Sequence, residues 1–415
     1  MVGCEITRSA FFVERISLFV RDLRGSHPLC TSPRLIHASR TTENVEAANP
    51  SICLRHTHRQ AIAEEAFMNN GGEVCRSKML YRVVLAALLI SLFFKHALVG
   101  AEGFGPFPVR NFQAFQQMVL SLPGDRATVV KPGTLDVRLE LAETASIYND
   151  NTPPINVTVK FETLRSGLFL RYGATDKLEL GLEIPVFYRY QGFMNGAITG
   201  VERATTGESP ARAALSNTNF LFNVTRNRQT IMGGGPGAMG LGDTTLMSKY
   251  QLLTEGAAMP AVSLRGAVKL PTGDQPAFFG SGSPDFGLGL AAEKLVAGRW
   301  MLYANLNGVV PTGTIAGFGL RPTLSGLAAI EYLWSENLSI TTHFNYYSSP
   351  FSGTGSPVFD QSITESVLGF SYRVVPHFLW QLYAVENLDF ITGSAADFTL
   401  STVLTYRFEP SSSRQ

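Results

Sequence analysis

From Ala396 to Phe408 the chain alternates without a break: Phe398, Leu400, Leu404, Tyr406 and Phe408 fall on one face, Thr399, Ser401, Thr405 and Arg407 on the other. Strict period two marks a strand whose two faces meet different surroundings. Its length points to a bilayer, because a tilted membrane-crossing strand needs about 9 to 11 residues, whereas soluble strands average about 5 or 6. The terminal phenylalanine fits the same reading.

The same period recurs from Thr134 onward in twelve stretches, approximately 134–147, 157–173, 177–189, 243–253, 259–271, 284–295, 299–311, 320–333, 336–348, 362–374, 377–388 and 396–408. Leu178, Leu180, Leu182 and Ile184 oppose Lys177, Glu179, Gly181 and Glu183; Leu338, Ile340, Phe344 and Tyr346 oppose Asn337, Ser339, Thr341, His343 and Asn345. Alternation alone permits the apolar face to point inward, as in a soluble barrel, or outward, as in lipid. The links favour lipid. Short ones surround Ala174-Thr175-Asp176, Glu255-Gly256, Ala297-Gly298, Ser335-Glu336 and Pro376-His377, whereas 148–156, 190–242, 272–283, 312–319, 349–361 and 389–395 are longer. Short turns at one end, long loops at the other, and Trp300, Trp334 and Trp380 all beside short turns form the pattern of a membrane barrel with an interfacial girdle. The expected fold is an all-β transmembrane antiparallel β-barrel of about 12 strands over residues 134–408. Within the second stretch the apolar residues change parity between Phe161 and Leu168, where a bulge or a protruding extension is expected.

All four cysteines, Cys4, Cys30, Cys53 and Cys75, precede an apolar run from Val83 to Phe94. That run is too short to cross a bilayer as a helix, which needs about 20 residues, but it matches the core of a secretory signal peptide. Arg82 supplies the positive flank, and Val99-Gly100-Ala101 offers small residues for cleavage before Glu102. Residues 1–78 are then expected to be a non-structured or mis-assigned extension, with translation starting at Met79 or Met68, and residues 79–101 the signal peptide. The cysteines lie more than twenty residues apart with no Cys-x-x-Cys, which argues against a metal site. Residues 102–133, with Pro106, Pro108, Phe107, Phe112 and Phe115, read as a periplasmic leader or a partial plug, and 409–415 as a polar tail.

Net charge is +1 and charged residues make up 16% of the chain, so composition gives no reason to expect a nucleic-acid partner. The charges that are present concentrate on the inward face. Candidate lumen-lining residues are Arg138, Glu140, Arg171, Glu179, Glu183, Lys249, Arg265, Lys269, Glu331, His343, Arg373 and Arg407, with Lys177 and Glu293 in the same register. Such a lumen is either a polar conduit for small solutes or an interior closed by salt-bridged side chains. No catalytic, cofactor-binding or metal residues are expected. Outer-membrane phospholipase is similar in pairing a twelve-strand barrel with a histidine-bearing hydrolase site, but that site faces lipid, whereas His343 is expected to face the lumen beside Asn345. Gly233-Gly234-Gly235-Pro236-Gly237 lacks the Lys-Ser or Lys-Thr of a phosphate loop and reads as part of a flexible external loop.

Gly105-Pro106-Phe107-Pro108-Val109-Arg110-Asn111, Gly240-Leu241-Gly242-Asp243, Leu270-Pro271-Thr272-Gly273-Asp274 and the terminal Tyr406-Arg407-Phe408 together resemble a bacterial outer-membrane family known only as domain of unknown function 3187. The resemblance spans roughly residues 104 to 408 and implies location and fold, not a reaction. The chain departs from that pattern by its long N-terminal extension and by Glu409 to Gln415. The expected protein is therefore a non-enzymatic bacterial outer-membrane barrel without cofactors, in contact with outer-membrane lipid and the barrel assembly machinery, and porin-like in passing small polar solutes. The alternative is a structural or surface-interaction barrel with a closed lumen; a barrel lipid hydrolase ranks third.

Overall fold

The computed structural model describes residues 102–205, 207–388 and 395–410. The expected N-terminal extension and signal peptide lie outside the described residues, as do most of the 389–395 link and of the polar tail.

Twelve strands close into one antiparallel ring: β1 (Leu135–Thr152), β2 (Ile155–Gly173), β3 (Leu178–Tyr190), β7 (Thr244–Leu253), β8 (Ala261–Leu270), β9 (Asp285–Val296), β10 (Trp300–Pro311), β13 (Thr323–Leu333), β14 (Leu338–Tyr347), β15 (Ile363–Val375), β16 (Phe378–Asn387) and β17 (Phe398–Phe408). The ring shuts where β1 pairs with β17, from Leu135 opposite Phe408 to Ala145 opposite Phe398. Each of the twelve stretches predicted from alternation corresponds to one of these strands. The strand numbers left over belong to short pieces inserted between them: β4 (Leu221–Arg226), β5 (Gln229–Gly233), β6 (Ala238–Leu241), β11 (Thr314–Ile315) and β12 (Phe318–Gly319).

Side-chain parity decides what the wall touches. Outward positions carry large apolar residues left exposed, such as Leu139, Leu168, Leu180, Leu246, Leu290, Leu306, Ile330, Phe344 and Leu368, while the alternate positions bury Asp136, Glu140, Glu179, Glu183, Lys249 and Glu331. A water-soluble barrel would reverse this arrangement. Closure removes the unpaired sheet edge that hydrocarbon cannot solvate, so an apolar outer wall on a closed sheet is a membrane-spanning barrel. At the short-turn end the exterior carries Tyr172, Tyr250, Trp300, Tyr332, Trp334, Tyr372 and Tyr406, with Trp300 and Tyr332 rings 4.7 Å apart. An arginine placed at Leu290, midway along β9, should cost about 2 to 4 kcal/mol of folding free energy in lipid. Urea titration into vesicles reads this directly, and a neutral outcome would mean that this wall faces something other than acyl chains.

The far end departs from the sequence expectations. Residues 148–156 were expected as a loop, yet β1 and β2 run on in unbroken register to Thr152 opposite Ile155, leaving a turn at Pro153-Pro154. No bulge interrupts β2 either. Its odd-numbered residues face inward throughout, from Ile155, Val157, Val159 and Phe161 down to Arg165, Phe169 and Arg171. The apparent parity switch is a change of interior chemistry along one continuous strand, apolar above and charged below. Lys177, expected in the lumen, sits exposed in the turn before β3.

The 190–242 segment is likewise no plain loop. It folds into α1 (Met194–Thr205), α2 (Pro210–Ala214) and β4 to β6, with β4 adding to the protruding part of β2 and β6 adding to the end of β3. Two buried groups fasten it. The Glu162 carboxylate accepts the N–H groups of Phe193, Met194 and Asn195 at 2.8 to 3.0 Å, capping α1 from a distance. Arg212 reaches Glu202 at 3.1 Å and also pairs with Asp397. In the 349–361 link, α3 (Pro357–Asp360) folds inward with Phe351 and Phe359 fully buried.

Candidate functional site: the filled lumen

The leader, residues 102–133, forms no strand; a single 3-10 turn at Gln116–Met118 is its only helix. It nevertheless lies buried against inward-facing side chains all round the ring, with Phe107, Phe112 and Phe115 each at most 1% exposed. Buried irregular backbone needs partners for every N–H and C=O. Here the wall supplies many of them, and the leader's own Asn111 and Gln113 side chains supply others. Carboxylates accept the leader's amides: Glu331 from Phe104 at 3.1 Å, Asp285 from Leu120 at 2.8 Å, Glu293 from Ala127 at 3.0 Å and Glu179 from Val130 at 2.9 Å. Cations donate to its carbonyls: Arg265 to Pro123 at 2.7 Å and Lys269 to Met118 at 2.6 Å.

Charged side chains of the leader complete the network. Arg110 meets Glu183 at 2.6 Å and Glu140 at 3.7 Å, and Arg165 on β2 bonds the same two carboxylates. The Tyr383 hydroxyl donates to Glu140 at 2.9 Å. Asp125 is held between Lys249 at 3.1 Å and Arg171 at 3.3 Å. Burial alone would raise the Asp125 carboxyl, but Lys249, Arg171 and Arg265 overcome that and keep it below the usual carboxylate range.

His343 also serves the leader. Its Nε2 accepts the Phe107 N–H at 3.1 Å, and its ring stacks on Phe107, which in turn stacks on Tyr383. Ser339 donates to Glu331, so no serine hydrogen-bonds to His343 among the described residues. Arg373 lies over the Phe104 ring at 4.7 Å, and Arg407 bonds Asp136 at 2.8 Å. Of the twelve candidates named from parity, eleven thus contact the leader or a carboxylate; Arg138 forms no ion pair among the described residues and lies 5.9 Å from the Phe169 ring. Sequence reasoning passed over Asp136, Asp243 and Asp285, although all three share the inward parity of their strands, and over Arg110, Asp125 and Arg126, which carried no periodic signal.

Above the charged layer the interior is aromatic and aliphatic around a buried cation, Arg189, which lies 4.6 Å from the Phe222 ring. Phe115 of the leader meets Phe359 at 4.6 Å, Phe161 meets Phe222 at 5.3 Å, and Phe318 meets Phe359 at 5.5 Å, with Val157, Val159, Val224 and Met232 filling between them. The polar lumen expected from the sequence is therefore one of two layers.

These features define a membrane-spanning β-barrel whose lumen is built around its own leader segment. Residues 81–408 match the profile of the family described as protein of unknown function (DUF3187), and the chain belongs to that family. No curated protein matches the sequence. Among solved structures, the chain is similar to the COG4313 outer membrane channel from Pseudomonas putida F1, at 12% identity over 68% of this chain and 98% of that one, with a TM-score of 0.47. It is also similar to the KdgM porin, at 9% identity over 66% and 99% with a TM-score of 0.34, and to the CymD monoaromatic hydrocarbon channel, at 12% over 68% and 89% with a TM-score of 0.33.

Proposed function

We propose that the protein is an outer-membrane transport barrel, porin-like in passing small solutes, whose resting state is plugged by residues 102–133. The short-turn end faces the periplasm in this reading, and the terminal strand that ends at Phe408 is what the barrel assembly machinery would engage. One observation carries it: apart from Gly133, whose N–H donates to the Gly173 carbonyl at 2.8 Å, the leader is held by side-chain hydrogen bonds, ion pairs and the packing of Phe107, Phe112 and Phe115 rather than by joining the sheet, as at Leu120 to Asp285 and Arg110 to Glu183. Water can replace such partners when the segment shifts, whereas a strand built into the wall could not leave without breaking the ring. Solutes would pass by diffusion, with no covalent step.

Planar-bilayer recording tests this with two variants. Deleting residues 104–124 should give a persistently conducting barrel, while Arg110→Ala, which leaves Glu140 and Glu183 paired with Arg165, should raise the frequency of openings above that of the unaltered protein. Folding of each is checked by heat-modifiable gel mobility. If Arg110→Ala folds and stays silent, and the deletion either stays silent too or fails to fold, the closed structural barrel replaces the transport reading.

A further inference from the structure

At the short-turn mouth, a cavity of about 270 Å³ lies between the leader and the inner faces of β1, β2 and β15 to β17. Most charges lining it are already matched: Asp136 pairs with Arg171 at 3.1 Å and Arg407 at 2.8 Å, and Asp125 with Arg171 at 3.3 Å. Arg138, Arg373, Lys131 and Glu409 are the exceptions, with no ion pair within 4.0 Å among the described residues, and the buried Nε of Arg138 has no hydrogen-bond partner. Directly across the β1–β17 pairing, Thr405 is 7% exposed, and its hydroxyl has no partner either. Arg373 faces the same space, and among the described residues its side chain bonds the Glu336 carbonyl at 3.3 Å, rests on Phe104 and meets no carboxylate.

Arg138 and Thr405 are partners across the β1–β17 pair and both can donate, in a lining where six arginine and lysine side chains face four carboxylates. Leaving a buried donor unmatched costs about 1 to 3 kcal/mol, so the complementary group is an acceptor, best an anionic one with two oxygens. The lining beside them is apolar at Phe104, Pro106 and Leu379. A volume equal to on the order of nine liquid waters admits a carboxylate bearing a ring or short chain. We propose that this mouth binds a small organic carboxylate, its oxygens held by Arg138 and Thr405 and its apolar body against Phe104 and Leu379. The site rests on the transport reading only for the side from which a ligand arrives; equilibrium binding is read without any conductance, so the two can fail separately.

Isothermal titration of the folded protein, extracted from membranes in detergent, tests the site with benzoate, its neutral counterpart benzyl alcohol, and inorganic phosphate. Benzoate should bind saturably and one to one, with benzyl alcohol at least about tenfold weaker. Arg138→Gln should weaken benzoate by about tenfold or more, and Thr405→Val, which keeps shape and charge, by several-fold. Equal binding of benzyl alcohol, binding of phosphate but not benzoate, or benzoate affinity unchanged in both variants would each overturn the assignment. If Arg138→Gln fails to fold, Thr405→Val alone decides.

Discussion

Glu331→Ala is expected to lose on the order of 4 kcal/mol of folding free energy, seen as a large fall in the urea midpoint of the reconstituted protein. The reason is the number of donors converging on one buried carboxylate. Glu331 accepts from the Phe104 N–H at 3.1 Å, the Gly105 N–H at 3.4 Å, the Tyr303 hydroxyl at 2.5 Å and the Ser339 hydroxyl. Removing the acceptor strands all four donors, and on this side the leader backbone packs closely on the wall: a Cβ built on Gly103 would lie 2.2 Å from the Tyr303 oxygen. Glu331→Gln keeps one carbonyl acceptor and should lose about half as much. A change below about 1 kcal/mol in the alanine variant would mean that the leader is not seated on β13.

Arg165→Met should cost about 3 to 5 kcal/mol, because it removes one cation from a buried ionic cluster and leaves Arg110 as the one ion-pair partner of Glu140 and Glu183 among the described residues. The methionine keeps much of the side-chain volume, so the loss reports charge rather than a cavity. Arg110 and Arg165 share both carboxylates, so Arg110→Met and Arg165→Met should be non-additive, with a coupling of about 1 to 3 kcal/mol in a double-mutant cycle. Strict additivity would place the two guanidiniums in separate environments and break the described geometry.

The legible part of this protein was the part governed by local period. Leu178 to Ile184 and Leu338 to Tyr346 could be assigned to faces residue by residue, because a strand in lipid must alternate wherever its other face is polar. The inserted elements were not legible. The β4–β5 turn at Asn227-Arg228 has positive φ at both residues, 51° and 69°, yet lacks the glycine that usually announces such a hairpin. Ile155, Val157, Val159 and Phe161 broke the expected register because they face an apolar interior. Alternation reports only that two faces differ, so a strand passing from a charged layer to an apolar one mimics a slip.

What the sequence determined by itself was the wall: strand number, order, outward face and the end that carries the short turns, since each follows from period two and from the hydrophobic thickness a strand must cross. What only the tertiary structure decided was the interior. Whether Glu331, Glu179 or Lys269 lines water or holds a segment of chain depends on residues more than a hundred positions away for Glu331 and Lys269, and on a leader with no periodicity of its own. Those hydrogen bonds exist because an irregular backbone buried in the lumen must be satisfied by the wall, and that constraint leaves no repeating trace along the chain.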